Sequence, residues 1–109
     1  MKILDHECGT VGFIVKKDNS LLFTSSVMTS GGMAYFQSHD LSEVAEAADK
    51  VSPGVVEKIR ELIASAREWL CDCFPHDEDQ IAECTEAQII RAVNRYRDGG
   101  WADFVACNQ

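Results

Sequence analysis

The residues of this chain best suited to chemistry are five cysteines (Cys8, Cys71, Cys73, Cys84, Cys107) and three histidines (His6, His39, His76). The densest stretch is Cys71-Asp72-Cys73-Phe74-Pro75-His76, with Cys84 further on. It holds four thiolate or imidazole donors, the number and type that tetrahedral zinc takes. Their spacing, C-x-C-x2-H-x7-C, matches none of the common zinc-finger spacings. Cys71 also follows Leu70 in a helical register, where a cysteine packs as a small hydrophobe. Buried or free thiols are therefore the favoured reading, with a zinc-stabilised adaptor using Cys71, Cys73, His76 and Cys84 as the alternative. A cysteine nucleophile needs a neighbouring base. His76 lies three residues from Cys73, but the acidic surroundings would raise a thiol pKa and weaken the nucleophile. No catalytic residue and no cofactor are expected.

Carboxylates are more abundant. Asp77-Glu78-Asp79 form a run beside Pro75, and Glu57 and Glu61 share a helix face at a spacing of four. General acid–base work needs such groups held in a dry cleft, whereas an acidic run beside a proline reads as a solvated loop. The run lacks the central glycine and closing glutamate of a calcium loop. Ser30-Gly31-Gly32 and Asp98-Gly99-Gly100 are followed by no phosphate-binding lysine, so a turn and a helix cap account for them. A small enzyme or ligand-binding domain stays open as a further alternative, without a constellation to support it.

The charge is unevenly placed. Of 18 acids and 10 bases, residues 40–86 hold 13 acids against four bases. Phosphate backbones would be repelled from that segment, which argues against direct nucleic-acid binding, while a basic protein surface would be attracted. Asp72, Asp77, Glu78, Asp79, Glu83, Glu57, Glu61 and Glu68 are the candidate partner-binding residues, and solubility is the plain alternative role for them. No apolar run reaches the roughly 18 residues of a membrane span, and the N-terminus lacks the apolar centre of a signal peptide. A cytoplasmic location with reduced thiols is expected, as a monomer or homodimer, and 109 residues suit a single domain.

The elements that must position these residues are strands first and helices after, an α+β arrangement. Thr10–Lys16, Leu21–Met28 and Met33–Gln37 read as a three-stranded antiparallel meander, with Lys2–Asp5 as a possible fourth strand. Gly12 marks a bulge or a close backbone approach, and Asp18-Asn19 a hairpin turn. Beyond Ser38 the apolar period changes from two to about 3.6, which signals helices. A first helix of about 41–50 follows an Asp40/Glu43 capping box and buries Leu41, Val44, Ala45 and Ala48. Ser52-Pro53 opens a second at about 53–72, with Val56, Ile59, Ile63, Ala66 and Leu70 on its apolar stripe. A Thr85/Gln88 box opens a third at about 86–97, bearing Ile89, Ile90, Val93 and Tyr96 and closed by Gly99. One helical turn at Gln80–Cys84 and a last one around Trp101 and Phe104 complete the expectation. The second and third helices are expected to cover the sheet.

The segment Arg95-Tyr96-Arg97-Asp98-Gly99-Gly100-Trp101-Ala102-Asp103-Phe104 resembles the "helix, then D-G-G-W-x-x-F" ending of small accessory proteins from phages and mobile elements. That resemblance implies an inhibitor or immunity-type protein, anti-defence or anti-CRISPR-like, that binds and blocks a host protein. It assigns no functional residue.

Overall fold

Alternation within Leu21–Thr29 makes the sheet one-sided: Leu21, Phe23, Ser25 and Val27 are buried, while Leu22, Thr24 and Ser26 are half-covered and Met28 is exposed. In this computed structural model, which describes residues 1–108, that strand is β3 of a four-stranded antiparallel meander. The others are β1 (Lys2–His6), β2 (Gly9–Val15) and β4 (Gly32–Ser38), in the order β1-β2-β3-β4. The helices follow as α1 (Leu41–Asp49), α2 (Val55–Cys73), α3 (Glu78–Glu83), α4 (Glu86–Tyr96) and α5 (Gly100–Cys107), with a 3-10 turn at Pro75–Asp77 before α3. Length alone suggests one domain, and the tertiary contacts gather into two compact units, Met1–Ile59 and Arg60 onward, the boundary falling inside α2.

In the first unit, β2 and β3 pair in an unbroken register from Gly9↔Val27 to Val15↔Leu21, and β3 and β4 from Thr29↔Gly32 to Phe23↔Ser38. The β2–β3 turn is held as its residues suggest. Asn19 takes a left-handed backbone at φ 66°, and the Asp18 carboxylate accepts from both the amide and the hydroxyl of Ser20. Gly12 is a close approach: a Cβ there would stand 2.6 Å from the Met1 carbonyl oxygen, because Met1 and Phe13 exchange hydrogen bonds at 2.8 Å. The pairing of β1 with β2 shifts register between Lys2 and Leu4. The helix lying against β2, β3 and β4 is α1, to which the apolar periodicity gave no covering role. Its stripe is the expected one, Leu41, Val44, Ala45 and Ala48, and all four are buried. Asp40 caps it by accepting from Ser42 N, but the capping box is half formed, since Glu43 accepts from the Ser38 hydroxyl instead.

Helix α2 starts two residues later than expected. Its first turn is satisfied by the Asp49 carboxylate, which accepts from Gly54 N at 3.0 Å and Val56 N at 3.2 Å, so Ser52 is not the cap. In the second unit, Leu62, Ile63, Ala66, Leu70, Ile81, Ile89, Ile90, Val93, Trp101, Phe104 and Val105 are buried. Thr85 and Gln88 form the full capping box of α4, each side chain bonded to the other's backbone N–H. Tyr96 departs from the expected stripe and is 56% exposed. Arg67 of α2 donates to the carbonyls of Ala82 and Cys84, closing the C-terminal end of α3.

Gly99 stands between α4 and α5 at φ 78°, and a Cβ on it would collide with the Asp103 carboxylate. Gly99→Ala should cost about 1–2 kcal/mol for the left-handed backbone alone. The check is a lowered denaturant midpoint at an unchanged m-value.

Candidate protein-docking surface

The acidic stripe follows from where the apolar stripe of α2 must go. With Leu62, Ile63, Ala66 and Leu70 buried, the opposite positions Glu61, Glu68 and Asp72 are all exposed. At about 100° per residue these three fall within a 40° arc of the helix. Pro75 then ends the helical run, and the chain turns through the 3-10 segment into α3. This turn and helix expose Asp77, Glu78, Asp79 and Glu83, while Ile81 alone of α3 is buried. Glu57, on the portion of α2 that belongs to the first unit, is exposed as well.

One side chain reports how closely some of these acids gather. The Cys71 thiol is pushed up from its ordinary pKa by burial and then by the carboxylates of Glu78, Asp72 and Glu68, with Arg67 opposing them. Three acids from α2 and α3 therefore act on one point. Because only the thiolate reacts, Cys71 should be alkylated more slowly than a free thiol at neutral pH. Glu78→Gln, by lowering that pKa, should speed the reaction. Site-resolved iodoacetamide labelling followed by mass spectrometry reads both outcomes.

The acids are not neutralised from within. Among the described residues the one ion pair is Lys2–Asp5, at 2.6 Å in β1. Three arginines of the second unit are engaged elsewhere: Arg67 with backbone carbonyls, Arg95 over the Tyr96 ring at 5.5 Å, and Arg97 over the Trp69 ring at 5.9 Å. Beside the acidic turn lies a cavity of about 200 Å³ lined by Leu70, Phe74, Ile81, Ala92 and Tyr96, with Asp77 also in its wall. Phe74 and Tyr96 meet edge to face there, 5.2 Å between centroids. The combination of aromatic rings and a carboxylate suits the aliphatic stem and charged head of a lysine or arginine.

No known protein family, curated protein or solved structure matches this chain.

Metal and thiol chemistry fare differently. Among the described residues no three His, Cys, Asp or Glu side chains stand close enough together to hold a metal ion. Cys71, Cys73, His76 and Cys84 are thus not brought together, and the Cys84 thiol instead donates to the Gln80 carbonyl within α3. All five cysteines are unpaired. The Cys8 thiol donates to the Val51 carbonyl, while the Cys8 amide donates to His6 Nδ1. His6 is held below its usual pKa chiefly by burial, Lys58 adding to the effect and Asp5 opposing it. His39 Nδ1 lies 3.0 Å from the Leu21 carbonyl, as a donor closing the start of β3. Among the described residues no helix is long and apolar enough to cross a membrane.

A feature the site residues chosen from sequence leave out is β4. Met33, Ala34, Tyr35, Phe36 and Gln37 are all exposed, on a strand with one neighbour only. A signal was present: Thr29–Ser38 contains no charged residue and no proline, the usual marks of a protected edge.

Proposed function

We propose that this chain is a non-catalytic protein-binding module whose acidic second unit docks on the basic surface of a partner. The reading is that of an inhibitor or immunity-type accessory protein, of the kind carried by phages and mobile elements, which occludes a nucleic-acid-binding groove. The observation that carries it is the group of exposed carboxylates on α2 and α3, none of them in an ion pair among the described residues. Unpaired like charges repel one another, and a solubilising surface does best with both signs interspersed. Concentrating one sign on one segment raises the encounter rate with an opposite surface and fixes its orientation. The cavity beside Asp77 supports the same reading, because it offers a seat for one basic side chain at the edge of the charged field.

The test is affinity capture from cells of the native host. A partner with a basic surface should be held in about equal molar amount at low salt and released as the salt rises past about 0.15 M, where screening acts over about 8 Å. A partner retained equally at high salt would contradict electrostatic docking. The zinc-adaptor and enzyme alternatives gain no particular observation.

A further inference from the structure

With α1 against one face of the sheet, the register lines up two cross-strand rows on the other: Asp5-Thr10-Ser26-Tyr35 and Lys2-Gly12-Thr24-Gln37. Strand alternation sets both rows on the side away from Val11, Phe13, Phe23 and Val27, which are buried. The register shift between Lys2 and Leu4 brings Lys2 and Asp5 to the same side although they are three residues apart, and they pair there at 2.6 Å. Gly12 leaves a gap in the second row. Beside it opens a cavity of about 330 Å³, walled by Lys2, Thr10, Thr24, Ser26, Tyr35 and Gln37. The gap is fixed by the backbone, since a Cβ on Gly12 would stand 2.6 Å from the Met1 carbonyl oxygen. Its volume falls at the lower end of small-ligand sites.

We propose that this cavity binds one ring of a neutral sugar. Charge selects a neutral ligand. The two charged side chains of the rows, Lys2 and Asp5, are spent on each other, and the Asp5 carboxylate also accepts from the Thr10 hydroxyl. The chain as a whole carries a net charge of −8, so an anion is repelled, while a cation finds no free carboxylate in the rows. Polarity selects a ligand rich in hydroxyls. The half-covered Thr24 and Ser26 hydroxyls and the Gln37 amide have no protein partner among the described residues. An apolar ligand would strand them, whereas a polyol pairs with each as donor or acceptor. Shape selects a ring: neighbours in a row stand about 5 Å apart, close to the separation of hydroxyls across a pyranose. Tyr35, 78% exposed, offers its aromatic face to the C–H bonds of that ring. The site lies wholly in the first unit and does not depend on the acidic docking surface of the second.

The experiment is a nuclear magnetic resonance titration of the full chain with the methyl glycosides of glucose, galactose, mannose and N-acetylglucosamine. At least one should shift the amides of Thr10–Gly12, Thr24–Ser26 and Tyr35–Gln37 to saturation, with a Kd on the order of 1 mM, the affinity a dozen or so non-hydrogen atoms supply. Tyr35→Ala should weaken that binding about 10-fold or more, and Tyr35→Phe, which keeps the ring, by about 3-fold at most. Glucuronate, a similar ring with a carboxylate added, should bind about 10-fold more weakly than the neutral glycoside. If none of the four glycosides moves these amides up to about 100 mM, a hundred times the expected Kd, the inference is overturned, even where another protein is found to cover the same face. Binding that Tyr35→Ala leaves as tight as before overturns it too, as does glucuronate binding as tightly as the neutral sugar. Should Tyr35→Ala misfold, Gln37→Ala, at another exposed position of the cavity wall, takes its place with the same two outcomes.

Discussion

Trp101→Ala should unfold the second unit or bring it close to unfolding. Trp101 is fully buried, with its ring centroid 5.3 Å from that of Phe104, which in turn lies 6.3 Å from Trp69. Removing the largest buried side chain from a core of α2, α4 and α5 residues leaves a cavity that the short helices can only partly close, at a cost of about 3–5 kcal/mol. That is a large share of the stability of a chain this size. Trp101→Phe separates packing from polarity. The indole Nε1 is buried without a protein acceptor, so phenylalanine keeps most of the aromatic contact and removes an unpaired donor. Its cost should be well below that of alanine, about 1 kcal/mol or less. Chemical denaturation of the three proteins reads the order: wild type and Trp101→Phe close together, Trp101→Ala far below. Equal losses for both variants would mean that the core does not rest on this ring.

Reversal of Asp77, Glu78 and Asp79 to lysine should slow association with the captured partner by about 10-fold or more at low salt, because encounter rates scale with the charge field around the site. The variant should stay folded, with a moderate loss of stability. All three side chains are exposed, and only Asp77 touches the cavity beside Phe74. The helix that follows would lose acids from its first turn, where they favour the N-terminal end, a loss of a few tenths to about 1 kcal/mol per charge at most. A rapid-mixing measurement of the association rate, with circular dichroism as the control for folding, separates the two effects. An unchanged rate in a folded variant would place the interface elsewhere.

Much of the fold was legible because local chemistry and tertiary packing agree along the chain. The stripe of α1 matches its buried residues, the Thr85/Gln88 pair forms the box its spacing suggests, and Gly99 takes the left-handed backbone expected of a glycine after a helix. What could not be read depended on partners distant in sequence. Asp49 replaces Ser52 as the cap of α2 because a carboxylate five residues upstream swings onto Gly54 N and Val56 N, and spacing rules look only at the neighbouring positions. Tyr96 carries an apolar periodicity but ends on the surface, where Arg95 lies over its ring and Phe74 meets its edge. For the surface, composition showed that residues 40–86 are acidic. The gathering of Glu68, Asp72 and Glu78 about Cys71 needed the turn at Pro75, whose direction no periodicity specifies.

The most direct test of the docking claim is amide hydrogen exchange of the chain, free and in complex with the partner it captures. Docking through the acidic segment gives added protection over Cys71–Cys84, with loss of that protection in the Asp77, Glu78 and Asp79 reversal. Protection confined to Gly32–Ser38, with Cys71–Cys84 exchanging as fast as in the free chain, would contradict it.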